Sequence, residues 1–371
     1  DRYSVEAMDP LDEYIMTDGN TAGALGAIYG GFQFCGWYPI TPATSLAESL
    51  GIFAPRLRQD PETGKNNFAI VQAEDELAAI GMAVGAGWAG LRAMSSTSGP
   101  GISLMTEYMS LAYYAEVPLV LWDVQRVGPS TGLPTRTAQG DLNLTYFLGQ
   151  GDTNQIILIP SSVNECFEFG WKAFDFADEF QTPVIILSDL DLGMNLWMTK
   201  RFKYPDKPIN RGKILWEEDL ENFEAEWGRY LDVDGDGIPY RTVMGNTNEK
   251  APYFTRGTGH DEYGNYSEDP EVWERILDRI KKKFETAREH LPKPVYRDMD
   301  GAKIGLIGMG STEPAILEAQ DKLKVAGIPT DFMRVRALPF SEEIKEFIQA
   351  HDRNYVLELN RDGQLHQILV I

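Results

Sequence analysis

A chain of 371 residues, 43% apolar and 24% charged, has ordinary globular composition and length enough for two or three domains with substantial cores. Its formal charge of -22 argues against a nucleic-acid partner, which requires clustered Lys and Arg, and reads most simply as a solubility feature. No stretch approaches the roughly 20 apolar residues of a membrane span, and Asp1–Pro10 lacks the basic start and apolar run of a signal peptide.

Two cysteines, Cys35 and Cys166, cannot make a disulfide framework and are too few for an iron–sulfur cluster. They fit a reducing cytoplasm, as small buried hydrophobes, and any electron-carrying cluster is expected on another chain. The missing initiator Met and the helical pattern still running at Leu365, Ile368 and Leu369 suggest a segment of a longer polypeptide.

In chain order, residues 1–13 read as a linker, and residues 14–198 alternate helix and strand signals, the mark of an open parallel sheet. An Ala/Gly-rich helix follows Asp18-Gly19-Asn20 and runs to Gly31. Pro39 and Pro42 then forbid a helix and fix an extended loop, before a helix over Ser45–Leu50. Asn67–Val71 predicts a strand, Ala78–Gly90 a helix, Met94–Gly101 a Ser/Thr/Gly loop, Leu104–Ala115 a helix and Val117–Val124 a buried strand. Ile156–Ile159 predicts a strand, Val163–Phe180 an amphipathic helix and Pro183–Leu187 a strand.

Residues 199–297 change character: aromatic and charged residues dominate, loops are long, and only Pro270–Glu289 predicts a sustained helix. This stretch is expected to wrap other domains or a partner. From 298 to 371 the α/β pattern returns, with strands over Ile304–Gly308, Thr330–Arg334 and Tyr355–Leu359 and helices over Glu313–Val325 and Ser341–Ala350.

Several residues could carry chemistry. Glu76 opens a helix rich in small residues that would let a flat ligand approach; equally, Glu74, Asp75 and Glu76 could simply complement the helix dipole. The Ser95–Gly101 stretch, with Ser98, could line a cofactor cleft at a strand's carboxyl end or be an ordinary polar turn. Arg126, at a strand end before a Gly/Pro loop, suits bidentate carboxylate recognition or a structural ion pair. Asp232–Gly237 mimics a calcium loop, but Val243 stands where a bidentate Glu is required; its Gly235-Asp236-Gly237 also lacks the Asn pair of a diphosphate site. His260, His290, His351 and His366 are scattered without metal-ligand spacing, and Gly308-Met309-Gly310 falls short of a dinucleotide fingerprint.

The ordered series DGNTAGALGAIYGG, YPITPATSLAE, QAEDELAAIGMAVGAGWAG, STSGPG, QRVGPSTGLPTRTAQGDL and QTPVIILSD resembles the alpha subunit of 2-oxoacid:ferredoxin oxidoreductases, particularly the 2-oxoglutarate type. The likeness is strong over residues 14–200, loose in the middle, and resumes near 300, where it resembles a transketolase C-terminal-like domain. It implies a pyrimidine-binding half-site for thiamine diphosphate. Glu76 would contact the aminopyrimidine nitrogen as the catalytic acid–base relay. Ser98 would line the cofactor, Thr41 would lie against cofactor or substrate, Arg126 would bind the 2-oxoacid carboxylate, and Thr135 would sit nearby. Val127 stands where Gly is commoner in relatives.

The resemblance further implies oxidative decarboxylation, with coenzyme A accepting the acyl group and ferredoxin the electrons. A beta subunit would carry Mg²⁺, the diphosphate site and a 4Fe-4S cluster, within a heteromer holding a second alpha–beta unit. Pyruvate or a branched-chain 2-oxoacid as substrate, and a non-catalytic scaffold role, remain open.

Overall fold

The computed structural model describes residues 12–371, so most of the expected 1–13 linker and the signal-peptide reading of Asp1–Pro10 lie outside the described residues. The chain begins with β1 (Tyr14–Thr17), α1 (Gly19–Tyr29), β2 (Phe34–Trp37), α2 (Thr44–Leu57), β3 (Ala69–Gln72) and α3 (Glu76–Trp88). It continues through β4 (Ala93–Thr97), α4 (Gly99–Tyr114), β5 (Leu119–Gln125), α5 (Leu142–Tyr146), β6 (Ile156–Leu158), α6 (Val163–Phe180), β7 (Pro183–Asp189), α7 (Leu190–Met194) and β8 (Trp197–Lys200). After the extension come α8 (Glu217–Glu221), α9 (Pro270–His290), β9 (Val295–Arg297), β10 (Ile304–Met309), α10 (Glu313–Val325), β11 (Thr330–Val335), β12 (Ala337–Leu338), α11 (Glu342–Ala350), β13 (Arg353–Leu357) and α12 (Gln364–Val370).

The main sheet runs β12-β6-β7-β5-β4-β2-β3, parallel except for β12. It is covered on both faces, which is why β5 and β7 are buried throughout rather than alternating. On one face Val120, Trp122 and Val124 pack with α1, α2 and α6; on the other Leu119 and Leu121 pack with α3 and α4. The small residues of α1 serve this packing. A Cβ at Gly26 would overlap the Phe167 carbonyl, and one at Gly170 would lie 2.7 Å from the Gly23 carbonyl, so α1 and α6 meet backbone to backbone.

A second sheet, β13-β10-β11-β9, is parallel apart from β9. Strand β12 leaves this segment and pairs antiparallel with β6, so the second α/β unit is stitched into the first sheet's edge. Buried ion pairs reinforce the seam: Glu165 of α6 accepts from Arg334 at 2.7 Å and Arg336 at 2.8 Å, and Arg334 also meets Glu313 at 3.0 Å.

The extension wraps the first unit. Glu116, fully buried after α4, is gripped by Arg279 and by Lys283 (2.7 Å), both on α9. In the Asp232–Gly237 turn, Lys213 supplies the positive charge, meeting Asp234 at 2.6 Å and Asp236 at 2.8 Å, while Asp232 accepts the backbone N–H groups of Gly235 and Gly237.

Two expectations are corrected. Met94–Gly101 is not a loop: Ala93–Thr97 is a fully buried central strand and α4 begins at Gly99. Pairing with β2 and β5 on either side overrides the turn-like Ser/Thr composition. The last strand occupies Arg353–Leu357 rather than Tyr355–Leu359, because Ile304–Gly308 sets its register. The β1/β8 ribbon, β2 and β9 are further strands without a sequence signal, each only three or four residues long.

Candidate active site

Beyond β2 the chain crosses to β3 on one side, whereas β4 is followed by β5 on the other. The sheet's direction of growth reverses between β2 and β4, and open α/β sheets form their ligand crevice at such a point, outside the carboxyl ends of the strands. The loops after β2, β3, β4 and β5 deliver Thr41, Glu76, Ser98 and Arg126 to this one end.

Each is held for a local reason. Asp75 caps α3 by accepting the Ala78 N–H at 2.7 Å, which fixes Glu76 in the first helical turn, 8% exposed. Ser98 occupies the N-cap of α4 but makes no capping bond. Gly101 provides space beside Glu76: a Cβ there would lie 2.8 Å from Glu76 Cγ and overlap Thr97 Oγ1. The Arg126 guanidinium donates to the Thr41 carbonyl at 2.7 Å and to the Thr131 carbonyl at 2.9 Å, leaving its buried Nε without a partner.

Two pairings result: Glu76 with the first turn of α4, and Arg126 with Thr41. Thr135 is set apart from them. It is exposed on a loop closed by Val127 N–H donating to the Arg136 carbonyl, and it accepts from the Arg136 side chain.

A cavity of about 950 Å³ opens beside Arg126, lined by Gly99, Asp141, Glu358, Arg361 and Gln364 among others. Its far wall comes from the second α/β unit, held by Asn360 Nδ2 donating to the Gln139 carbonyl at 3.0 Å and Gln364 Nε2 donating to the Gly140 carbonyl at 2.7 Å. Sequence reasoning singled out neither this wall nor the carboxylates Asp123 and Asp141. Asp123 did carry a signal, an acid inside the apolar run Leu119–Val124. Burial pushes its carboxyl well up, with the Asp141 charge adding to the effect. Burial also raises Asp141, to about 6, against the pull of Arg126.

The residues present suit a flat, polar heterocycle. The hydroxyl of Ser98, at the carboxyl end of β4, is buried without a hydrogen-bond partner, and an orphaned buried polar group of this kind calls for a ligand or water. Glu76 beside Gly101 offers a carboxylate where a ring nitrogen could reach it. Among the described residues, no group of three or more His, Cys, Asp or Glu side chains is placed to hold a metal ion, and no helix is long and apolar enough to cross a membrane.

Known proteins resemble this chain over most of its length. Residues 25–212 match the family described as "Pyruvate flavodoxin/ferredoxin oxidoreductase, thiamine diP-bdg". Over 96% of its length the chain is 39% identical to the 2-oxoacid:ferredoxin oxidoreductase 2, subunit alpha, of Aeropyrum pernix, covering 56% of that protein. It is 33% identical to the 2-oxoglutarate synthase subunit KorA of Methanothermobacter marburgensis, covering 96% of the chain and 90% of the relative. Among solved structures, the 2-oxoglutarate:ferredoxin oxidoreductase from Magnetococcus marinus, with 2-oxoglutarate, coenzyme A and succinyl-CoA bound, superposes with a TM-score of 0.88 at 32% identity, over 98% of this chain and 61% of that one. The chain thus spans little more than half the length of relatives such as the Aeropyrum protein. With a matched segment that contains Thr41, Glu76, Ser98 and Arg126, and similarity to alpha subunits over 96% of its length, the chain belongs to the thiamine-diphosphate-binding family of pyruvate flavodoxin/ferredoxin oxidoreductases.

Proposed function

We propose that this chain is the alpha-subunit part of a 2-oxoacid:ferredoxin oxidoreductase that converts 2-oxoglutarate and coenzyme A to succinyl-CoA and CO₂, passing the electron pair to ferredoxin. The observation that carries this reading is the convergence of Glu76, Ser98, Thr41 and Arg126 at the switch point of one parallel sheet. The substrate choice is supported by similarity, over 98% of this chain, to a protein solved with 2-oxoglutarate and succinyl-CoA. The pyrimidine-binding unit is assigned to residues 14–198, the wrapping extension to 199–297 and the transketolase C-terminal-like unit to 298–371.

Glu76 and the Ser98 turn would hold the aminopyrimidine of thiamine diphosphate. Bound there, the cofactor supplies an electron sink for loss of CO₂. The protein's own work is positioning and proton handling. Glu76 keeps a proton in reach of the ring nitrogen, and a well-placed acid–base group contributes about 10²–10⁴-fold in rate. Arg126 orients the substrate carboxylate, with Thr41 fixed beside it and Thr135 on the neighbouring loop. A beta subunit supplies the Mg²⁺ and diphosphate site and the 4Fe-4S cluster, in a cytoplasmic heteromer with a second alpha–beta unit.

The test is co-purification with the partner subunit and an assay of ferredoxin reduction with 2-oxoglutarate, pyruvate and branched-chain 2-oxoacids. Coenzyme A-dependent reduction with 2-oxoglutarate leading the panel is expected, and the chain without its partner should be inactive. Absence of 2-oxoacid-dependent reduction in the assembled complex would overturn the reading.

A further inference from the structure

The chemistry above makes no use of two buried carboxyls, Asp141 in the cavity wall and Asp123 on β5 behind it. Asp123 lies on the face of β5 that also carries Leu119 and Leu121, in register with Thr97 of β4. It is fully buried, and neither carboxyl oxygen has a hydrogen-bond partner. Asp141 approaches from the loop before α5: its N–H donates to Gln125 Oε1 at 3.1 Å, and its Oδ1 lies 2.5 Å from where a Gly99 Cβ would stand. Its own Oδ2 is also buried and unpartnered.

The charged side chains around the pair are few. Arg126 follows β5, Glu76 reaches the first turn of α4 from α3, and Asp189 ends β7 in register with Gln125. Glu358 and Arg361 face Asp141 across the cavity. Within this set Arg126 is the cation that lowers Asp141. One arginine cannot balance two dry carboxylates, because desolvating an uncompensated charge costs several kcal/mol and a buried acid takes up a proton instead.

We propose that Asp123 and Asp141 together carry a single negative charge at neutral pH, with the proton on Asp123, and that this neutral acid is a positioning residue keeping the Arg126 end of the cleft receptive to a carboxylate. The functional part rests on the reading of Arg126 as the carboxylate-binding group. A second negative charge behind Asp141 would offset the guanidinium and repel an incoming anion. Holding Asp123 neutral leaves one charge to fix Arg126 and none in excess.

Two measurements on the complex purified with its partner subunit test this. Infrared spectroscopy at neutral pH should show a protonated-carboxyl stretch that is lost in Asp123→Asn. No such band in the wild type, or its survival in the variant, would overturn the proposal. Should Asp123→Asn fail to fold, the wild-type band must shift when the protein is labelled with carboxyl-¹³C aspartate, and an unshifted band would count equally against the assignment. In steady-state kinetics, the wild-type KM for the 2-oxoacid should rise about tenfold from neutral to alkaline pH as Asp123 ionises, against little change in kcat. Asp123→Asn, permanently neutral, should flatten that rise, and an unchanged slope would sink the positioning role. If the complex turns over no 2-oxoacid, the functional reading fails while the infrared result still decides where the proton resides.

Discussion

Arg126 and Thr41 are joined across the cleft by a hydrogen bond of 2.7 Å from guanidinium to backbone carbonyl, so the loop after β5 and the loop after β2 move as one piece. The same guanidinium holds the Thr131 carbonyl at 2.9 Å. A lysine ammonium lacks the planar fork that spans both acceptors while facing a carboxylate. Arg126→Lys is therefore expected to raise KM for the 2-oxoacid about tenfold to a hundredfold, the equivalent of one lost hydrogen bond to a charged group at about 1.5–3 kcal/mol. Steady-state kinetics of the assembled complex check this, and an unchanged KM would remove Arg126 from the substrate site.

Glu76 and Gly101 give a matched pair of tests. Glu76→Gln keeps the shape but cannot shuttle the proton, so kcat should fall about 10²–10⁴-fold with little change in thermal stability. Gly101→Ala adds a methyl 2.8 Å from Glu76 Cγ and into the space of Thr97 Oγ1, so Glu76 must shift. A displaced relay should also lower kcat, whereas a Gly→Ala change at an unconstrained helical position would only stabilise the fold, by about 0.4–1 kcal/mol. A fully active Gly101→Ala enzyme would mean that Glu76 does not need its present position.

Much of the crevice was legible in the sequence because it is built from consecutive loops of one repeating pattern. The helix opened by Glu76 and the strand delivering Arg126 both follow from composition and periodicity, and the structure places their ends at one edge. Ser98 was harder to place. Ser95-Ser96-Thr97 looks like a turn, and only pairing with β2 and β5 makes it a strand that delivers Ser98 to the cleft. The far wall, Glu358–Gln364, was not legible at all. It lies more than two hundred residues from Gly140, and a tertiary contact of that span has no local signature. Thr135, expected near the substrate by resemblance, is exposed on this chain's surface loop.

The extension is clamped at Glu116. With Arg279, Lys283 and Arg229 around it, this residue is the anionic centre of a buried basic cluster. Burial alone would raise its carboxyl; the neighbouring Arg279 and Lys283 outweigh that and hold it far below the usual carboxylate range. A depressed folded-state pKa contributes stability that is present above the unfolded value and lost as pH falls towards the folded one. The wild type should therefore lose a component of stability below about pH 4, the ordinary Glu range. Glu116→Gln should lack that component and melt earlier at neutral pH, by about 3–5 kcal/mol, because it strands buried cations. Urea melts at neutral and acid pH measure both effects. An unaltered midpoint at neutral pH would show that the clamp adds no net stability.

The seam between the two α/β units depends on Arg334. Its guanidinium reaches Glu165 on α6 and Glu313 at the start of α10, and the next residues feed β12 onto β6. Removing it leaves the buried Glu165 and the part-buried Glu313 with Arg336 as the remaining cation of the cluster, a loss of the class that costs about 3–5 kcal/mol. The same seam carries residues 358–364 to their place over Arg126. Arg334→Ala is accordingly expected to do two things at once. The second unit should melt ahead of the first, giving separated calorimetric transitions, and KM for the 2-oxoacid should rise more than kcat falls, because the cavity wall loosens while Glu76 stays in place. A variant with a single transition and wild-type KM would show that β12 pairing alone, without the ion cluster, fixes the two units together.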